Sequence, residues 1–126
     1  MKYLTKEQVI YLHKQLIQEF GGMEGIRNEG LLESAIASPF QTFSLKEFYP
    51  TIEEKAARLG YGLVSNHCFI DGNKRIGAHA MLVFLALNDI QLDFTQEELI
   101  QIFLDLASSN SDYNTLLVWI RSHERK

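Results

Sequence analysis

The stretch from Ile76 to Leu87, IGAHAMLVFLAL, contains one polar residue, His79, and it constrains the fold more than any other feature. A helix that is apolar almost all the way round has to be buried. This one is therefore expected at the centre, with the other elements packed around it. Its beginning is marked by HCFIDG, residues 67–72, which lacks helical period and carries Asp and Gly. From Gly72 the pattern reads as helix to about Asn88.

The remaining elements are also predicted to be helices. Thr5 and Gln8 form a capping-box pattern ahead of Val9, Leu12, Leu16 and Phe20, and Gly21 and Gly22 end that run. A second, short helix runs from about Asn28, with Leu31, Leu32, Ala35 and Ile36 turned inward, until Pro39. Phe40 to Pro50 is apolar and aromatic without sustained period, which predicts an irregular loop or short hairpin serving as a flap. Thr51 with Glu54 opens a helix carrying Ala56, Leu59, Leu63 and Val64 up to about Asn66. After the central helix, QLDF at 91–94 alternates weakly and suggests a short strand. Thr95 with Glu98 opens a helix carrying Leu99, Ile102, Phe103 and Leu106, and a last helix carries Leu116, Leu117, Trp119 and Ile120. The expected fold is a compact all-α bundle, one domain over residues 1–126, with no repeat or linker.

A chain of 126 residues hides roughly two thirds of its accessible area on folding, enough for one core without staples. The single cysteine, Cys68, cannot form an internal disulfide, which fits a reducing, cytoplasmic setting. No leader or membrane span is expected, since no apolar run approaches the roughly 20 residues a span needs. Net charge is −4 and no segment is basic: cations against anions stand at 7 to 8 over residues 1–66, 2 to 5 over 67–100 and 3 to 3 over 101–126. Direct binding to nucleic acid, which depends on clustered cations, is disfavoured.

Chemistry concentrates in residues 67–75, HCFIDGNKR. The first turn of a helix has backbone N–H groups without intrahelical partners, and the helix dipole adds about half a positive charge there, so the start of the central helix attracts an anion. Gly72 lets an oxygen approach the N–H groups of Asn73, Lys74 and Arg75. The Asn73 amide can add a donor, Lys74 a flexible charge, and Arg75 a planar grip on two oxygens of one phosphate. Asp71 is the candidate ligand for Mg²⁺, an ion commonly shared between one carboxylate and phosphate oxygens. His67 is the candidate general base, because imidazole takes a proton near neutral pH. Phe69 is expected to point into the core and pin the loop.

Each residue taken singly also has a structural reading. His67 could sit as a cation at a helix C-terminus, Asp71 could cap the next helix, and Lys74 and Arg75 could be a solvated first turn. Their coincidence beside one anion site favours chemistry. His13 and His123 have no charged cluster around them in sequence and are expected at ordinary helix or surface positions. Cys68 lacks a CxxC partner and is expected to be inert packing, and no HExxH or paired CxxC suggests zinc.

His67, Phe69, Asp71, Gly72, Asn73, Lys74 and Arg75 together resemble the signature of the Fic superfamily, HxFx(D/E)GN followed by a small or basic residue and Arg, and most closely its death-on-curing (Doc) branch. GIRNEGLLESAIASP, AARLGYGLVSNH and AMLVFLALN also look like that branch, in the same order and spacing, so nearly the whole chain is covered. The resemblance implies an all-α Fic fold, ATP with Mg²⁺, transfer of part of the nucleotide to a protein hydroxyl, and a toxin restrained by an antitoxin. Fic proteins typically transfer AMP. In the Doc branch lysine replaces the second glycine of GNG and the γ-phosphate is thought to be offered instead. Here Lys74 holds that position, and Ala78 stands where adenylylating relatives have a second arginine. Both features imply phosphorylation of a Ser or Thr hydroxyl, with elongation factor Tu as the implied target.

Cys68 stands where proline is frequent in Fic motifs. His79 takes the place of an asparagine in a Doc-type arrangement and could contact phosphate or simply pack. The inhibitory string (S/T)xxxE(G/N) is absent: Glu24 and Glu29 are the glutamates followed by Gly or Asn, and neither has Ser or Thr four residues earlier. Inhibition is therefore expected from a second chain. The rival readings are adenylyl transfer by the same site, a non-catalytic protein-binding module and, weakest, a helical DNA-binding domain.

Overall fold

A computed structural model describes all 126 residues. Six helices form the body: α1 (Lys6–Phe20), α2 (Glu29–Ala37), α3 (Ile52–Ser65), α4 (Asn73–Leu87), α5 (Gln96–Ala107) and α6 (Tyr113–His123). Thr5, Thr51 and Thr95 each close a complete capping box with Gln8, Glu54 and Glu98, so α1, α3 and α5 begin where the sequence pattern places them. Pro39 does not end the chain's turning. It sits in a single 3₁₀ turn, Ser38–Phe40, that follows α2 directly.

The aromatic segment resolves into a hairpin of two-residue strands, β1 (Thr42–Phe43) and β2 (Lys46–Glu47), paired antiparallel with Phe43 opposite Lys46. Both turn residues, Ser44 (φ 51°) and Leu45 (φ 66°), are left-handed, as the two-residue turn of a twisted hairpin requires. Leu45 at the tip is fully exposed, and Phe43 and Phe48 stack on one another while facing solvent.

α4 is central as expected, and it shares that place with α3, which packs against α2, α4, α5 and α6. Their close approach depends on two glycines. A Cβ at Gly77 would lie 2.5 Å from Val64 Cγ2 and 3.0 Å from the Gly60 carbonyl, so larger residues there would force the helices apart. One continuous core results, with Leu32, Leu63, Ile76, Met81, Phe84, Leu116 and Ile120 fully buried. No helix is long and apolar enough to cross a membrane.

The strand expected over 91–94 does not form. Leu92 makes a single bridge to Glu124, flanked by Asp93 N–H to His123 O and Arg125 N–H to Gln91 O, each 2.8 Å. One bridged pair with two flanking bonds is too short for a ladder. His123 is not an ordinary surface residue either: it stacks on Trp119 and lies 2.8 Å from Glu98, tying α6 to α5.

Candidate active site

The loop between α3 and α4 is held from three sides. α3 stops at Ser65, and the Asn66 side chain donates to Leu31 O. His67 then adopts a left-handed conformation (φ 48°) that turns the chain sharply. Arg27 fastens this bend, its Nε donating to His67 O at 2.6 Å and its Nη2 to Asn66 O at 3.1 Å. The backbone N–H groups of Arg27 and Asn28 both donate to Cys68 O, and Ile70 N–H donates to Gly25 O. Residues 25–28 thus run alongside the loop and leave few of its polar groups unpaired.

Phe69 is buried and lies flat on His13, with ring centroids 3.8 Å apart and planes 9° from parallel. Asn73 closes the loop from the other end: its Oδ1 accepts from Phe69 N–H and its Nδ2 donates to Phe69 O, both at 2.9 Å. Both polar ends of that amide are thereby engaged inside the loop. What Asn73 presents outward is its backbone N–H.

α4 starts differently from its neighbours. Five helices have a side-chain cap, from Thr5, Asn28, Thr51, Thr95 and Asp112, whereas the N-cap of α4 is Gly72 in the left-handed region (φ 76°) with no capping bond. A cap contributes about 1 kcal/mol, which α4 can forgo because its apolar body is anchored in the core. The consequence is that the N–H groups of Asn73, Lys74 and Arg75 donate to no protein acceptor. Such a set of unpartnered donors at the positive end of a helix dipole suits an anion.

Asp71 precedes this turn. Its Oδ1 accepts from Gly72 N–H at 2.8 Å and its Oδ2 from Met23 N–H at 3.2 Å. Gly22 (φ 118°) makes room for it, since a Cβ there would fall 2.7 Å from Oδ2.

These groups line a cleft of about 820 Å³ between α1, α4 and α5. His67, Asp71, Gly72, Asn73, Lys74, Arg75 and His79 supply its polar side, while Phe20, Leu99, Ile100 and Phe103 are among its apolar walls. His67, Lys74 and Arg75 are exposed, and neither cation has an ion-pair partner. The Arg75 guanidinium lies 4.4 Å from the centroid of Phe20, which braces it at the rim. His79, one turn further along α4, is half-buried. The volume is ample for a nucleotide-sized ligand.

The donor set also bears on a metal. No three His, Cys, Asp or Glu side chains gather anywhere to form a cage of such ligands. A single carboxylate beside unpartnered anion-binding N–H groups fits an ion of the Mg²⁺ type, which shares its shell with water and phosphate oxygens.

All the sequence-derived candidates converge on this cleft except Phe69, which supports it from behind. Two residues were missed. His13 is 97% buried, contrary to its expected ordinary position, and its Nε2 lies 2.7 Å from Asp71 O. The signal available was its place with Val9 and Ile17, four residues apart on the buried face of α1. Arg27 lies in a segment without periodicity and offered no such signal.

Known proteins resemble this chain along most of its length. The Fic/DOC family model matches residues 3–85. The chain is 33% identical over 117 residues to Toxin Doc of Mycolicibacterium smegmatis, covering 91% of this chain and 88% of that one. It is 26% identical over 121 residues to Protein kinase doc of Escherichia phage P1, covering 96% and 94%. With the family signature wrapped around the mouth of this cleft, and a match running from the start of α1 to near the end of α4, the chain belongs to the Fic/DOC family.

Proposed function

We propose that this protein is the toxin of a toxin–antitoxin pair acting in the cytoplasm, and that it transfers the γ-phosphate of ATP, with Mg²⁺, to a Ser or Thr hydroxyl of a target protein. Elongation factor Tu is the target the resemblance suggests, and its modification would block translation. The observation that carries the reading is the uncapped start of α4, where three unpartnered N–H groups and the unpaired Lys74 and Arg75 open on the same cleft as the exposed His67.

In this reading His67 takes the proton of the acceptor hydroxyl as the oxygen attacks. The backbone of residues 72–75, with Lys74 and Arg75, stabilises the charge that spreads over the phosphoryl oxygens as the bond to the leaving nucleotide loosens. Asp71 would hold Mg²⁺, whose contribution when bound is to neutralise phosphate charge. Asn73 acts mainly by closing the loop, and His79, which lines the same cleft one turn further along α4, would contact phosphate or simply pack. The hairpin, with its short exposed strands and Phe43, Leu45 and Phe48 outward, would register the target chain by strand addition.

An antitoxin chain is the expected inhibitor, because the inhibitory string is missing from this sequence. Lys74 and Ala78, in place of the glycine and second arginine of adenylylating relatives, favour γ-phosphoryl over adenylyl transfer. Incubation of the protein and Mg²⁺ with a cell lysate and ATP labelled at either the α or the γ position separates the two. Label arriving on a protein from the γ position is expected. Label from the α position alone would replace this reading with adenylylation, and no transfer together with no MgATP binding would point to a binding module.

A further inference from the structure

His13 is a buried titratable group that the proposed chemistry does not use. Its ring stacks on Phe69, and its Nε2 meets the carbonyl oxygen of Asp71 at 2.7 Å. A backbone carbonyl only accepts, so Nε2 carries the hydrogen. The peptide it holds, Asp71–Gly72, leads into the N-cap of α4. That peptide is planar, with C=O and N–H on opposite sides. With the carbonyl drawn toward α1, the Gly72 N–H is directed to the Asp71 carboxylate at 2.8 Å.

Nothing in residue 72 itself fixes that orientation. Glycine populates positive and negative φ about equally, so the peptide before it can rotate at little intrinsic cost. A rotated peptide would turn a carbonyl, the negative end of its dipole, away from α1 and release the Asp71 carboxylate from Gly72. It would therefore change the groups beside the unpartnered N–H groups of residues 73–75. A Cβ built on Gly72 would sit 3.5 Å from His13 Nε2, so the imidazole also backs the glycine directly.

We propose that His13 is a positioning residue for the anion site: by donating from Nε2 to Asp71 O it locks the Asp71–Gly72 peptide in the one orientation that keeps that carbonyl out of the cleft and the Asp71 carboxylate in place. The proposal rests on reading residues 72–75 as a phosphate site. The contrary view makes His13 a core histidine whose contribution is its flat contact with Phe69.

Two variants of the full chain separate donor from ring. H13F keeps an aromatic ring on Phe69 and has no donor, whereas H13Q has an amide N–H with similar reach and no ring. Titration calorimetry with MgATP should show H13F weakened about tenfold, the loss of one hydrogen bond's worth of organisation, with H13Q recovering most of the affinity despite a lower thermal midpoint. Hydrogen exchange at the Gly72 amide, which a ring current does not move, should quicken in H13F and stay near the parent's rate in H13Q. Equal affinity of H13F and the parent, or losses in both variants that follow only their stability, would overturn the proposal. If the parent itself fails to bind MgATP, the phosphate reading falls and exchange at the Gly72 amide still decides whether His13 sets this peptide. Should H13F not fold, the ¹⁵N spectrum of the parent's imidazole decides, because an Nδ1–H tautomer at His13 is incompatible with the donor role.

Discussion

The ammonium group of Lys55, 98% buried in α3, lies 2.8 Å from the half-exposed carboxylate of Glu47 at the base of the hairpin and also donates to the carbonyl of Tyr49. One buried cation thus fastens the flap to the helix that leads into the active-site loop. Replacing it with methionine leaves Glu47 free to be solvated, so the penalty is mainly the orphaned Tyr49 carbonyl, about 1–3 kcal/mol. K55M should therefore remain folded at room temperature, with a lower thermal midpoint and faster proteolytic cleavage next to Leu45. Unchanged cleavage would show that the hairpin is held by other contacts.

His67→Ala should leave the thermal midpoint nearly unchanged, since the side chain is exposed, and should lower phosphoryl transfer about 10²-fold or more if general-base catalysis is lost. The measurement is initial rate on labelled ATP at saturating target. Activity equal to the parent would remove His67 from the reaction.

Gly77→Ala tests the contact between α3 and α4. Its new methyl group would meet Val64 at 2.5 Å and the Gly60 backbone at 3.0 Å, and backbone has little room to yield. Overpacking of this kind costs about 1–3 kcal/mol, which denaturant unfolding would read as a lower midpoint at an unchanged slope. A midpoint equal to the parent's would mean the two helices slide apart freely.

The hydrogen bond between Glu98 and His123 makes stability depend on pH. Glu98 raises the His123 pKa above 6.5, so this stabilisation is complete below that value and is lost as pH rises through the raised folded pKa. His123 in turn lowers the Glu98 pKa below 4.5, and that part is lost only as pH falls through the lowered value. The gap in thermal midpoint between the parent and H123N should accordingly be wider near pH ~5.5 than near pH ~9. A gap that is flat across this range would assign His123 to packing on Trp119 alone.

Burial pushes the Cys68 thiol up to about 11, with Arg27 opposing the shift. A disulfide exchange reagent at pH ~8 should react slowly with the native protein and rapidly once denaturant is added, because the thiolate is the reactive form. C68S should keep its transfer activity. Rapid native reaction would contradict the buried position of this side chain.

Local chemistry made much of this molecule legible in advance. Thr5, Thr51 and Thr95 cap helices through partners three residues away, and the apolar run after Arg75, interrupted only by His79, marks a buried helix without help from elsewhere. The residues missed act far along the sequence: His13 on Asp71 and Arg27 on His67, 58 and 40 positions away. Pattern alone does not decide between loop and hairpin at residues 40–50, because the turn is Ser44–Leu45, with neither glycine nor asparagine to announce two left-handed residues. The strand expected at 91–94 fails because alternation in four residues says nothing about whether a partner strand exists.

The paired bonds from Asn73 to Phe69 close residues 69–73 into a small ring that needs no visitor to complete it. Ordering a backbone costs about 1–2 kcal/mol per residue, and here that cost is met during folding rather than at each encounter. An arriving ligand keeps more of its own interaction energy, and its capture should be limited by diffusion and charge instead of by waiting for a loop to settle.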